Sequence, residues 1–139
     1  MPKPGKLDRL LRVRTLQLGM VRAQEVRAQE RFAGEATLKG RINQLAEGVA
    51  PLTTSTQGFS LVAAAHFRDR LQQSAEAAEG RLRAAEQVVE RAAEATREAK
   101  RDQSAIEKLI ARADAEAVVK AIRALEAAPP TRKIRHDPC

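Results

Sequence analysis

Between Leu61 and Ala117 the apolar residues recur at every third and fourth position: Leu61, Ala64, Leu71, Ala75, Ala78, Leu82, Ala85, Val89, Ala92, Ala99, Ile106, Ile110, Ala113 and Ala117. Arg68, Thr96 and Gln103 are the stripe positions that break the apolar rule. The phase holds throughout, so the pattern is a heptad. A straight α-helix drifts relative to a seven-residue repeat, and a stripe that stays in phase asks its partner to wrap in a left-handed supercoil. The intervening residues are mostly Glu, Arg, Gln and Ala, strong helix formers, with no Pro among them. The spacing therefore predicts one long helix with a narrow seam, and such a seam needs a second helix to cover it.

That second helix is expected upstream, over residues 7–48. Its first part is rich in aliphatics on more than one face (Leu7, Leu10, Leu11, Val13, Leu16, Leu18, Met20, Val21). Its middle is charged, with Val26, Ala28 and Phe32 as contacts, and a seam resumes at Leu38, Ile42, Leu45 and Val49. Gly19, Gly34 and Gly40 each cost roughly 1 kcal/mol against Ala, which implies either close backbone approach or a kink at those points. Residues 49–59 break the chain: Gly48 suits a helix C-cap, Pro51 cannot continue a helix, and Ser60 or Thr56 can cap the next one. The second helix is expected over residues 60–127 and stops before Pro129 and Pro130. Residues 1–6 and the basic 128–139 read as disordered tails.

The fold class predicted is all-α, a two-helix antiparallel coiled-coil hairpin with a longer second helix. A reversal about Thr54 sets Leu45 near Ala63, Leu38 near Arg70 and Leu71, Phe32 near Glu76 and Ala77, Leu11 near Arg97, and Leu7 near Arg101. With arms of ~60 Å and ~100 Å, Asp102 to Ala127 is left without an intrachain partner. This overhang carries Ile106, Leu109, Ile110, Val118, Val119, Ile122 and Leu125, and an aliphatic patch of that size marks an interaction site.

Composition sharpens the picture. Aromatics are 2% of the 139 residues, with no Trp or Tyr, and charged residues are 31%, which is coiled-coil rather than globular usage. The formal net charge of +7 invites a nucleic-acid reading, but the basic residues are mixed with acids along both helices, as on solvated faces flanking a seam. Arg97, Lys100 and Arg101, with Arg132, Lys133 and Arg135 in the tail, are the candidates for phosphate contact; no aromatic platforms accompany them. The lone cysteine, Cys139, excludes an internal disulfide framework. The first residues hold no uninterrupted apolar stretch of the secretory kind, so a cytoplasmic protein is expected.

Catalytic chemistry is not expected. His66 lacks a second His or a Cys nearby, and the His136–Cys139 spacing is a weak metal motif in a mobile tail. There is no phosphate-binding glycine loop, and the glycines are scattered. No cofactor, metal or small-molecule substrate is predicted.

The opening KLDRLLRVRTLQ, the Arg/Gln/Glu-rich middle, the Thr/Ser loop and FRDRL near the start of the second helix together resemble the FliJ family, small coiled-coil proteins of flagellar type III protein export. The resemblance covers nearly the whole chain in architecture and charge rhythm, although Tyr and Trp of some relatives are absent and Ala replaces larger seam residues. It implies a non-enzymatic stalk and adaptor, whose open end inserts into the hexameric ring of the export ATPase. A surface nearer the hairpin tip meets the export-gate protein, and export chaperones are escorted. Carried over, the ATPase-binding candidates are Leu7, Arg9, Leu11, Arg12, Ile106, Ile110, Val118 and Ile122, and the gate-binding candidates are Leu38, Ile42, Leu45, Phe67 and Leu71. The place implied is the cytoplasmic side of the inner membrane, peripherally at the export apparatus. The competing reading from the residues alone is a basic coiled-coil scaffold or homodimer that binds nucleic acid or an anionic surface.

Overall fold

The computed structural model describes residues 5–48 and 58–130. Two helices account for nearly all of them: α1, Lys6–Gly48, of 43 residues, and α2, Gly58–Glu126, of 69 residues. At 1.5 Å per residue these are ~65 Å and ~104 Å long. No strand occurs among the described residues. The helices pack against each other as an antiparallel all-α hairpin, since Arg14 meets Asp102, Glu35 meets Arg81 and Lys39 meets Glu79.

The ends follow from local chemistry. The Asp8 carboxylate accepts a hydrogen bond from the Gly5 N–H at 2.9 Å, the returning half of a capping box, and places an anion at the positive end of the helix dipole. α2 closes with the Ala127 N–H donating to Arg123 O, ahead of the two prolines. Gly48 is the last residue of α1, without the positive φ that a left-handed cap takes. Ser60 lies inside α2, so it is not the cap. Thr56, Pro51, Val49 and both terminal tails (1–4 and 131–139) lie outside the described residues.

The seam is regular. The residues of α1 that are not exposed are Leu7, Leu11, Arg14, Leu18, Val21, Glu25, Ala28, Phe32, Glu35, Lys39 and Ile42, which alternate four and three apart. On α2 the matching stripe is the one that the heptad predicts, from Ala64 to Ile110. The core is thin: Leu18, Ala28, Leu71, Ala78 and Ala85 are its buried residues.

The structure departs from the sequence pattern in the α1 seam and in the register of the two helices. Val26, Leu38 and Leu45 are exposed beside the contact rather than in it, and Glu25, Glu35 and Lys39 take seam positions instead. Facing residues have numbers that add to between 116 and 118, so α1 sits about nine residues further along α2 than a reversal about Thr54 allows. Leu7 then lies opposite Ile110, Leu11 opposite Ile106, Leu18 opposite Ala99, Phe32 opposite Ala85, Leu38 level with Glu79 and Leu45 level with Gln72. The physical reason is that seam must meet seam. A reversal about Thr54 turns Leu11 toward Arg97, which is off the α2 stripe. The observed register also sets Leu18 and Phe32 against the small Ala99 and Ala85.

Polar seam residues pin this register. The Arg14 guanidinium reaches Asp102 at 3.0 Å, the Gln103 side-chain amide donates to Thr15 Oγ1 at 3.0 Å, and Arg81 Nε donates to Glu35 at 3.1 Å. The Thr96 hydroxyl bonds its own helix at Ala92 O. Gly19, Gly34 and Gly40 do not mark close approach: a Cβ built on any of them meets nothing within 4 Å, and α1 runs unbroken through all three.

One ion pair links stability to pH. The hydrogen bond from Lys39, then its charge, hold the Glu79 carboxyl below its ordinary value of 4.5. A carboxyl depressed in the folded chain contributes stability that is complete above its unfolded value and is lost as pH falls through the folded one. The urea midpoint should therefore drop on acidification from about pH 6 to about pH 3, and Lys39→Met should flatten that slope. An unchanged slope in the variant would exclude the pair as its source.

Candidate functional site

The open end of the hairpin is built from the N-terminal turns of α1 and the last third of α2. Register decides how much of it is sheltered. Leu7 and Leu11 are half-buried, as are Ile106 and Ile110, and the four close the seam over that end. Asp102 and Gln103 are engaged by Arg14 and Thr15. The stretch expected to lack a partner from Asp102 onward is therefore shorter. Every residue from 111 to 130 is exposed, and α2 projects beyond the start of α1 over residues 112–126.

That projection, ~22 Å long at 1.5 Å per residue, exposes Val118, Val119, Ile122 and Leu125, the last at 76%. Two of the ATPase-end candidates, Val118 and Ile122, thus lie on a free helix. Arg9 and Arg12 are exposed on α1 beside it. The other four, Leu7, Leu11, Ile106 and Ile110, are spent largely on holding α1 to α2. Leu10, Val13 and Leu109 are exposed aliphatics of the paired part at this end. Leu10 could have been found by asking which residues of α1 the stripe leaves out.

The candidates near the tip divide similarly. Leu38, Leu45 and Phe67 are exposed, Phe67 at 49%, and the register puts them on one flank of the hairpin, the side on which Glu35 meets Arg81. Ile42 is a half-buried seam residue. Leu71 is a core residue and offers no surface, because the heptad turns it toward α1.

No group of His, Cys, Asp and Glu suited to a metal occurs among the described residues. His66 is exposed on α2, whereas His136 and Cys139 fall outside the described residues. The grooves along the hairpin are shallow and open to water, lined for example by Arg14, Met20, Val21 and Ala99. No described helix is long and apolar enough to cross a membrane. What the arrangement can do is present side chains along a rod: an aliphatic projection at one end and charged faces along its length. Comparison with family models, curated proteins and solved structures found no match to this chain.

Proposed function

We propose that the protein is a non-enzymatic coiled-coil stalk and adaptor that engages a protein partner through its open end. The observation that carries this reading is the α2 projection, residues 112–126, with Val118, Val119, Ile122 and Leu125 in water. An aliphatic helix without cover among the described residues is a surface made for a groove or a ring lumen. A rigid two-helix stem behind it fixes its direction. By its resemblance to the FliJ family, the partner is the export ATPase ring of a flagellar type III system. The Leu38, Leu45 and Phe67 flank is then the contact for the export gate, and the chain sits peripherally at the inner membrane through these partners and escorts export chaperones.

The register supplies a clean test. Deleting residues 112–139 removes the projection and leaves the whole α1–α2 seam, so circular dichroism and the melting midpoint should hold. Capture of the purified export ATPase by this shortened hairpin should fall more than about tenfold, since two or three anchors are lost. Undiminished capture with an intact fold would refute an end-on stalk. A second copy of the chain is the other occupant that the same aliphatics would suit. Sedimentation of the full chain as a monomer would dismiss it, and a dimer that the deletion dissolves would replace the stalk reading.

A further inference from the structure

The outward side of α2, turned away from α1, carries a run of cations that the overall charge count hides. Two grooves follow one another along it. The first is lined by Arg97, Lys100, Arg101 and Lys108 with Ser104 and Ala105. The second is lined by Arg112, Lys120 and Arg123 with Ala115, Val119 and one acid, Glu116. Glu94 at the near end takes both Arg97, at 2.7 Å, and Arg101, at 3.2 Å. Lys100, Lys108, Arg112, Lys120 and Arg123 form no ion pair among the described residues. Arg97, Arg101, Lys108, Arg112 and Arg123 fall on the outward side, with Lys100 and Lys120 on its two opposite flanks, and the acids beside them are Glu94, Glu98 and Glu116. Between Arg101 and Arg112 no acid falls on the outward side, since Asp102 and Glu107 lie on the flanks toward α1, so the positive charge is concentrated there. From 97 to 123 the strip runs ~39 Å along a straight helix.

We propose that this strip docks the hairpin lengthwise on an anionic lipid bilayer. A straight rod with most of its cations on one side meets a plane with those cations at once. The long Lys and Arg stems can lie along the interface while their heads reach lipid phosphates. Exposed Val119, with Ala115 and Ala105, lies among the cations, and small aliphatics in that setting enter the headgroup layer as those of interfacial helices do. A polynucleotide gains less here. The strip has no aromatic platform, its one neutral polar side chain is Ser104, and its length outruns the stretch over which a curving groove stays in line with a rod. Val118, Ile122 and Leu125 lie about a quarter turn round the helix, so the stalk partner and the bilayer do not compete for the same side chains. The docking needs no stalk partner and does not rest on that reading.

The test is co-sedimentation of the full chain with phosphatidylcholine vesicles containing about 30% phosphatidylglycerol, beside vesicles of phosphatidylcholine alone. Binding to the first and not the second is expected, weakening steeply as salt rises from about 0.05 to 0.3 M. The triple variant Lys108→Glu, Arg112→Glu and Arg123→Glu should lower the partition coefficient more than about a hundredfold, at roughly fivefold per charge lost. A control with the same net charge, Arg22→Glu, Arg27→Glu and Arg41→Glu on exposed positions of α1, should lower it far less. Circular dichroism certifies that both variants are folded. Equal losses in the two variants would overturn the strip as a site, leaving net charge alone. So would absent vesicle binding, or a duplex oligonucleotide that binds tightly and is lost only in the strip variant.

Discussion

Replacing Leu18 by Ala is expected to lower the unfolding free energy by about 2–3 kcal/mol, while Leu16→Ala should change it by less than about 0.5 kcal/mol. The two leucines stand two residues apart in an aliphatic run, yet Leu18 is 3% exposed and Leu16 is 70% exposed. Leu18 lies opposite Ala99, a small neighbour that cannot move in to fill the space. Truncation therefore loses both the transfer term and the contacts of the methyl groups. A thin hairpin has few such residues, so this one change removes a large share of a stability that for small domains is about 5–15 kcal/mol in total. Urea denaturation followed by circular dichroism reads both values. Equal effects at the two positions would mean that the seam does not run through Leu18.

Leu18 also shows what the amino-acid pattern could and could not convey. The α2 stripe was readable because Ala and aliphatics hold the heptad for some fifty residues and its polar exceptions are three: Arg68, Thr96 and Gln103. The hairpin fold follows from that stripe together with the break at Gly48 and Pro51. The α1 seam was not readable by hydrophobicity, since Arg14, Glu25, Glu35 and Lys39 occupy four of its positions and leave Leu38 and Leu45 outside. A search for apolar spacing passes over these residues and picks the flank. Their place becomes apparent only when cross-helix charges are matched: Arg14 with Asp102, Glu35 with Arg81 and Lys39 with Glu79. Those same pairs set the register. Seam-to-seam contact restricts register to steps of seven residues, a restriction that a loop midpoint at Thr54 ignores.

Register in turn decides what the candidate site contains. The aliphatics of the α2 end were visible in the sequence, but their cover was not. The shift of about nine residues brings α1 over Ile106 and Ile110, which converts them from free surface to seam, and leaves the projection to begin near Arg112. Leu71 is converted likewise at the tip. The outward cations of α2 were legible one at a time, as Arg97, Lys100 and Arg101. Their continuation through Lys108, Arg112 and Arg123 emerges when charges are sorted by helix face rather than counted along the chain.

The glycines carry the largest expected gain. Gly19, Gly34, Gly40 and Gly80 are exposed, lie inside helices, have no positive φ, and would place a Cβ in open space. Each therefore exacts the backbone entropy of glycine without supplying a turn or a close contact in return. Changing all four to Ala should stabilise the chain by about 3 kcal/mol, at 0.5–1 kcal/mol per site, largely through a less diverse unfolded ensemble. The effects should add, because the sites share no contacts. A rise of more than about 10 °C in the melting midpoint is expected, read by circular dichroism at fixed protein concentration. The contrast is Ala78, which is fully buried in the seam opposite Lys39. There Ala→Leu must force the helices apart and should cost about 1–3 kcal/mol. If the four alanines instead lowered stability, the faces bearing these glycines would have to be packed against something, and a hairpin with its seam on the other side of α1 could not stand.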